Sequence, residues 1–154
     1  MLPVHFLFVD DEELFVETIA KRLRLKGFTI DVATSGTEAL NRLETCNAID
    51  IVVLDIQMPG LDGISTLERI KAKYPLVEVI MLTGHATVQS AVNAIKIGAF
   101  DYLIKPYDMD ELLQKARSAV SRKRGREEKI TDARSKPYIS DREREDLILK
   151  ILKE

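Results

Sequence analysis

A single cysteine, Cys46, is present in 154 residues. That excludes a disulfide scaffold and any Cys-based zinc site, and it fits a reducing cytoplasm. No apolar run approaches the roughly 18 residues a membrane span needs. The start, Met1-Leu2-Pro3-Val4-His5, lacks the basic n-region of a signal peptide. An excess of one charge is missing too: 23 basic against 25 acidic side chains argue against a chain-wide footprint for nucleic acid. There is no Gly-rich phosphate loop for a nucleotide and no internal repeat. What is there is a core-forming composition, 45% apolar and 31% charged, which excludes a disordered chain. The length suits one ordinary domain with about thirty residues over. Charge divides unevenly along it. Residues 1–120 carry 12 basic and 17 acidic side chains, whereas 121–154 carry 11 and 8.

Short β-branched and aromatic runs alternate with stretches of helical period. Val4 to Val9 reads as a strand ended by acids. Residues 12–26 read as a helix, with Phe15, Ile19 and Leu23 spaced by four and Gly27 as its stop. Phe28 to Val32 is a second strand, and 36–46 a helix with Ser35 as N-cap. Ile51-Val52-Val53-Leu54 is continuously apolar, as a central parallel strand covered on both faces should be. Ile64, Leu67 and Ile70 mark a short helix. Val77 to Leu82 is a fourth strand, and Val88, Ala91, Val92 and Ile95 mark a helix closed by Gly98. Phe100 to Ile104 and the run Leu112, Leu113, Ala116, Ala119, Val120 complete the series. Five β-then-α units predict an α/β fold: a flavodoxin-like, doubly wound (βα)5 parallel sheet in the order 2-1-3-4-5, with a C-terminal helical extension.

The expected organisation is a domain over 1–122, a polar linker or helix extension over 123–139, and an amphipathic helix over 140–154. The run Arg122-Lys123-Arg124-Gly125-Arg126 reads as a solvated helix end, since it lacks the interleaved aromatics of a nucleic-acid site. Ser140 and Glu143 form a capping box ahead of one apolar stripe, Leu147, Ile148, Ile151 and Leu152. A helix of about 13 residues is marginal alone in water, so this one must pack on something. A contact in a dimer is the favoured expectation, docking on its own domain the runner-up.

Ligands of open α/β sheets bind at the carboxyl ends of the strands. Asp10 and Asp11 close strand one, and Asp55 closes strand three beside it. Two carboxylates about 5 Å apart repel by about 3 kcal/mol at an effective dielectric near 20, so the cluster needs a cation or raised pKa values. All-oxygen ligation favours Mg²⁺. Strand four ends in Thr83 and strand five in Lys105-Pro106, where a tight, potentially cis, turn aims the amine inward. A buried lysine there is costly unless the acids pair with it.

Val9-Asp10-Asp11-Glu12, Leu54 to Gly63 (LDIQMPGLDG), Leu82-Thr83-Gly84 and Gly98 to Pro106 (GAFDYLIKP) together resemble the receiver domain of two-component response regulators. The resemblance covers residue 4 to about 122, and Gly84 to Pro106 looks most like receivers of the nitrogen-regulation class. It implies a phosphorylation switch that catalyses only its own phosphorylation and dephosphorylation. Asp55 would take the phosphoryl group from a sensor histidine kinase or phosphotransfer protein. Asp10, Asp11, Asp55 and the backbone carbonyl of Gln57 would serve Mg²⁺, Asp10 mainly through water. Lys105 and the Thr83 hydroxyl would meet the phosphoryl oxygens. Thr83 and Tyr102 would relay the change to the face of the fourth helix, fifth strand and fifth helix, and so to a downstream protein target. Gln57 and His85 would flank the path of the hydrolytic water. His5 reads as structural, and Cys46 as a helix residue near a turn.

The alternative reading is the receiver portion of a larger DNA-binding transcriptional regulator. Direct DNA binding by this chain is disfavoured, because its tail has room for one helix and not a helix-turn-helix. A phosphatase acting on external substrates is disfavoured as well, since strand one lacks the Asp-x-Asp spacing. The expected location is the cytoplasm, with no membrane partner.

Overall fold

The computed structural model describes residues 3–84 and 88–154. Its five strands form one parallel sheet in the expected order β2-β1-β3-β4-β5. The elements are β1 (His5–Val9), α1 (Glu13–Leu25), β2 (Thr29–Ala33), α2 (Gly36–Thr45), β3 (Ile51–Asp55), α3 (Gly63–Lys73), β4 (Glu78–Thr83), α4 (Val88–Ile97), β5 (Asp101–Ile104), α5 (Met109–Ser135) and α6 (Asp141–Lys153).

Side chains alternate between two cores, one on each face of the sheet. Phe6, Phe8, Ile51 and Val53 pack under α1 and α5. Leu7, Val9, Val52 and Leu54 pack under α2 and α3. Because both faces of β3 are covered, all five of its residues are buried, and Asp55 is carried to the carboxyl edge of the sheet on its central strand. Capping follows the sequence. Ser35 accepts a hydrogen bond from the Glu38 N–H, and Ser140 and Glu143 form the full capping box of α6. Gly27, at φ +94°, turns the chain out of α1 in a conformation that favours glycine.

Two expectations about the chain's last third change. The polar stretch after residue 122 takes the helix-extension form: α5 runs unbroken to Ser135, and only the segment around Pro137 interrupts it. The basic run within it is not a solvated helix end. Lys123 lies 3.1 Å from Asp50, and Arg126 is buried 3.0 Å from Glu78. These acids begin β3 and β4 or precede them, so the run clasps the amino edge of the sheet. The stripe of α6 packs on its own chain, the runner-up of the two expectations. Ile151 is buried with Ile130 and Ala133 of α5, and Leu76, Leu147, Ile148 and Leu152 close the group. Packed together, the two helices bury Ile151 and half-cover the rest of the stripe, which neither could do alone. Ile151→Ala should cost about 2 kcal/mol by urea unfolding, at the low end for a buried Ile at a periphery, with sedimentation unchanged.

Candidate functional site

Three loops at the carboxyl edge of the sheet converge on Asp55. The strand order places β1 beside β3 and β4 beside it on the other side, so the ends of β1, β3, β4 and β5 bring their residues together. Asp10 and Asp55 are buried and Asp11 is exposed, with carboxylate oxygens of all three within 4.8 Å of one another. Lys105 Nζ donates to Asp10 Oδ2 at 2.7 Å and to Asp55 Oδ2 at 3.3 Å. The other oxygens are held by backbone: Glu12 N–H donates to Asp10 Oδ1 at 2.9 Å, and Gln57 N–H to Asp55 Oδ1 at 3.2 Å. Gly63 lets α3 begin hard against this loop, since a Cβ there would stand 2.3 Å from the Asp55 carbonyl oxygen. Any side chain at position 63 would push the loop out.

Thr83 is buried at the end of β4, and its carbonyl accepts from the Lys105 N–H at 2.8 Å. The Lys105–Pro106 bond is cis. Tyr102 lies one strand further out, opposite Met81 in the ladder, and is 37% exposed. The structure therefore gathers Asp10, Asp11, Asp55 and Lys105 directly and sets Thr83 at the adjoining strand end. Tyr102 stands on the neighbouring face, and Gln57 contributes its N–H. His85 lies outside the described residues.

Burial pushes the Asp55 carboxyl above its usual range, and the Asp10 charge adds to this. Lys105 and the Gln57 N–H pull the other way. Burial alone would lower the Lys105 pKa. Its hydrogen bond to Asp10 and the charges of Asp10 and Asp55 outweigh that and hold it above the ordinary lysine value. Three carboxylates facing one ammonium leave the cluster formally two charges negative. That deficit, an all-oxygen donor set and one exposed carboxylate match a divalent cation that keeps several waters, which is Mg²⁺ chemistry.

Two neighbours escaped the sequence reading. Phe15 is not part of the buried stripe of α1, which is Val16, Ile19, Ala20 and Leu23. It stands 37% exposed, with Lys105 Nζ 5.1 Å from its ring centroid, a cation–π contact that confines the amine. Tyr107 has a buried hydroxyl without a hydrogen-bond partner. Burial first, and Asp10 second, push its pKa far up, with Arg22 opposing. Spacing alone carried no signal for either.

This constellation on this sheet order is that of a receiver, the acid-pocket domain of two-component signalling. The response regulator receiver domain family model matches residues 6–117, and the chain belongs to that family. It is 45% identical over 115 residues to an NtrX-like response regulator of Rickettsia conorii, covering 73% of this chain and 24% of that protein. It is 40% identical over 122 residues to the C4-dicarboxylate transport transcriptional regulatory protein DctD of Rhizobium meliloti, covering 79% of this chain and 26% of that one. The chain thus spans about a quarter of the length of these curated relatives. Among solved structures, the receiver domain of NtrX from Brucella abortus is similar at a TM-score of 0.70 and 35% identity, over 75% of this chain and 98% of that one. Receiver domains bind Mg²⁺ at an acidic pocket, and the Asp10, Asp11 and Asp55 cluster is this chain's counterpart. No helix among the described residues is long and apolar enough to cross a membrane.

Proposed function

We propose that the chain is a phosphorylation-dependent signalling switch with Asp55 as phosphoacceptor. The observation that carries this is the buried Asp55 carboxylate, 3.3 Å from Lys105 Nζ and within the acid cluster. An Asp55 oxygen attacks the phosphorus of a kinase or phosphotransfer-protein phosphohistidine, and the P–N bond breaks as the imidazole leaves. Phosphoryl transfer needs positioning and charge neutralisation above all. The Gln57 N–H orients the nucleophile through Oδ1, and Lys105, confined by Phe15, meets the incoming oxygens. Asp11, Asp55 and the Gln57 carbonyl would hold Mg²⁺, with Asp10 in support, and the ion would supply charge neutralisation for the phosphoryl oxygens. Incubation of the chain with Mg²⁺ and a small-molecule phosphodonor, followed by intact mass measurement, tests the assignment. One adduct on Asp55 is the expected result, and none would refute it.

Output then passes through Thr83 and Tyr102 to the face of α4, β5 and α5, where a downstream protein would dock. Val92, Ile95 and Ile104 are exposed there, as Tyr102 is. A side chain that open has room to move when the Thr83 hydroxyl turns toward the phosphoryl group. Thr83→Ala and Lys105→Ala should still accept some phosphoryl group while losing most of the α4 chemical-shift change that a phosphoryl mimic produces. Full parental shifts in both variants would count against the relay. Asp11→Ala should weaken Mg²⁺ binding about tenfold or more, because this ion takes few protein ligands. Titration of the variant against the parent reads it directly.

The relatives' length favours a second reading, the receiver portion of a larger DNA-binding transcriptional regulator. In that case the signal travels along α5 to a following module. α6 itself is a poor DNA contact, since its apolar stripe is packed on α5 and its acids and bases balance. A cytoplasmic location goes with either reading.

A further inference from the structure

A second group of metal-ligating side chains lies away from Asp55, toward the amino ends of the strands. His5 opens β1, Asp31 is the third residue of β2, and Cys46 is the C-cap of α2. A ring nitrogen, a carboxylate oxygen and the thiol sulfur all lie within 4.8 Å of one another, and all three residues are half-buried. His5 Nε2 is 2.7 Å from Asp31 Oδ2.

The sheet register explains why they meet. Asp31 pairs with Leu7, two residues on from His5, so His5 and Asp31 project from the same face. That is the face whose core includes Leu7 and on which Cys46 packs. On the edge strand β2 the Asp31 carboxylate is one-third exposed and turned toward the His5 ring, which leaves its second oxygen open to a further partner. The His5 backbone is also pinned. Its N–H donates to Asp50 Oδ2 at 3.0 Å, and its carbonyl accepts from the Asp50 N–H at 2.9 Å. Two donors thus sit on paired strands and the third at a capped helix end.

We propose that His5, Asp31 and Cys46 form a second metal site, which takes a d-block divalent cation of the Zn²⁺ type with water in the fourth position. A tetrahedral ion of this kind wants its donor atoms roughly 3–4 Å apart, so the set closes on it with side-chain shifts of about 1 Å. One nitrogen, one oxygen and one sulfur donor select against Mg²⁺ and Ca²⁺, and set this site apart from the all-oxygen cluster at Asp55. The exclusion of a Cys-based zinc site drawn from the cysteine count holds for sites of several cysteines. It does not hold for a mixed one. An ion here ties β1, β2 and the end of α2 together, and its binding adds to folding stability.

The test is a Co²⁺ titration of the reduced 154-residue chain in excess Mg²⁺, which fills the acidic cluster. A thiolate-to-cobalt charge-transfer band should saturate at one equivalent and be displaced by Zn²⁺. Cys46→Ser should abolish the band. Asp31→Asn and His5→Gln should weaken Zn²⁺ binding at least about tenfold, with far-ultraviolet circular dichroism unchanged. A parent chain without the band, or a Cys46→Ser variant that binds Zn²⁺ as tightly as the parent, overturns the proposal. Neither readout depends on phosphorylation, so this site and the Asp55 assignment stand or fall separately.

Discussion

Asp55→Asn should give no phosphoryl adduct under conditions that fully label the parent, and in Mg²⁺-free buffer it should unfold at higher denaturant than the parent. The first effect follows from loss of the nucleophile. The second follows from the carboxyl's raised pKa, caused by burial and the Asp10 charge. A carboxyl whose folded pKa exceeds its unfolded value favours the fold at low pH and loses that contribution as pH rises through the folded value. Asn, isosteric and uncharged, escapes the loss. The gain should therefore be largest above the folded pKa and should vanish as pH falls toward 3.8, the ordinary aspartate value. Added Mg²⁺ should shrink it, because a bound cation stabilises the parent's carboxylate. A variant less stable than the parent at neutral pH without Mg²⁺ would show that Asp55 is not strained by its surroundings.

Glu78→Gln should cost about 3–5 kcal/mol, the usual price of breaking a buried ion group by removing one partner. Glu78 is 1% exposed at the start of β4 and faces three cations: Arg126 at 3.0 Å, Arg122 at 3.4 Å and Lys71 at 3.6 Å. Burial lowers the pKa of Lys71 and of Arg126, and Glu78 is the main group pulling both back. Without its charge the cations repel one another around a buried, neutral side chain. Arg126 also donates to the Pro75 and Leu152 carbonyls, so the loss should reach α6. Urea unfolding gives the magnitude, and amide exchange in α6 shows whether its protection falls with it. A loss below about 1 kcal/mol would mean that the backbone carbonyls alone carry these cations.

The βα order, the strand sequence and the carboxylate edge were legible because each rests on local pattern. Ile51 to Leu54 is apolar at every position, which marks a strand covered on both faces, and the acid that follows such a strand must sit at its carboxyl end. Gly27, Ser35 and the Ser140 capping box are likewise short-range signals, and each stands where the chain required it. Phe15 was misplaced because helical spacing cannot tell the core side of a stripe from its rim. The rim position was taken by a lysine ninety residues away.

By itself, then, the amino-acid sequence determined which elements form, in what order they pair, and which acids, hydroxyl and amine share the edge around Asp55. Periodicity and right-handed crossovers leave hardly any other arrangement. Tertiary structure decided the rest: that the basic run of α5 pairs with Asp50 and Glu78 and buries Arg126, that α6 folds back onto it, and that Cys46 reaches His5 and Asp31. Each of these depends on partners far apart in the chain. Asp50 and Glu78 look like ordinary surface acids until the sheet brings them under α5, and only then does a run of arginines and lysines have charges to neutralise in place of water to meet.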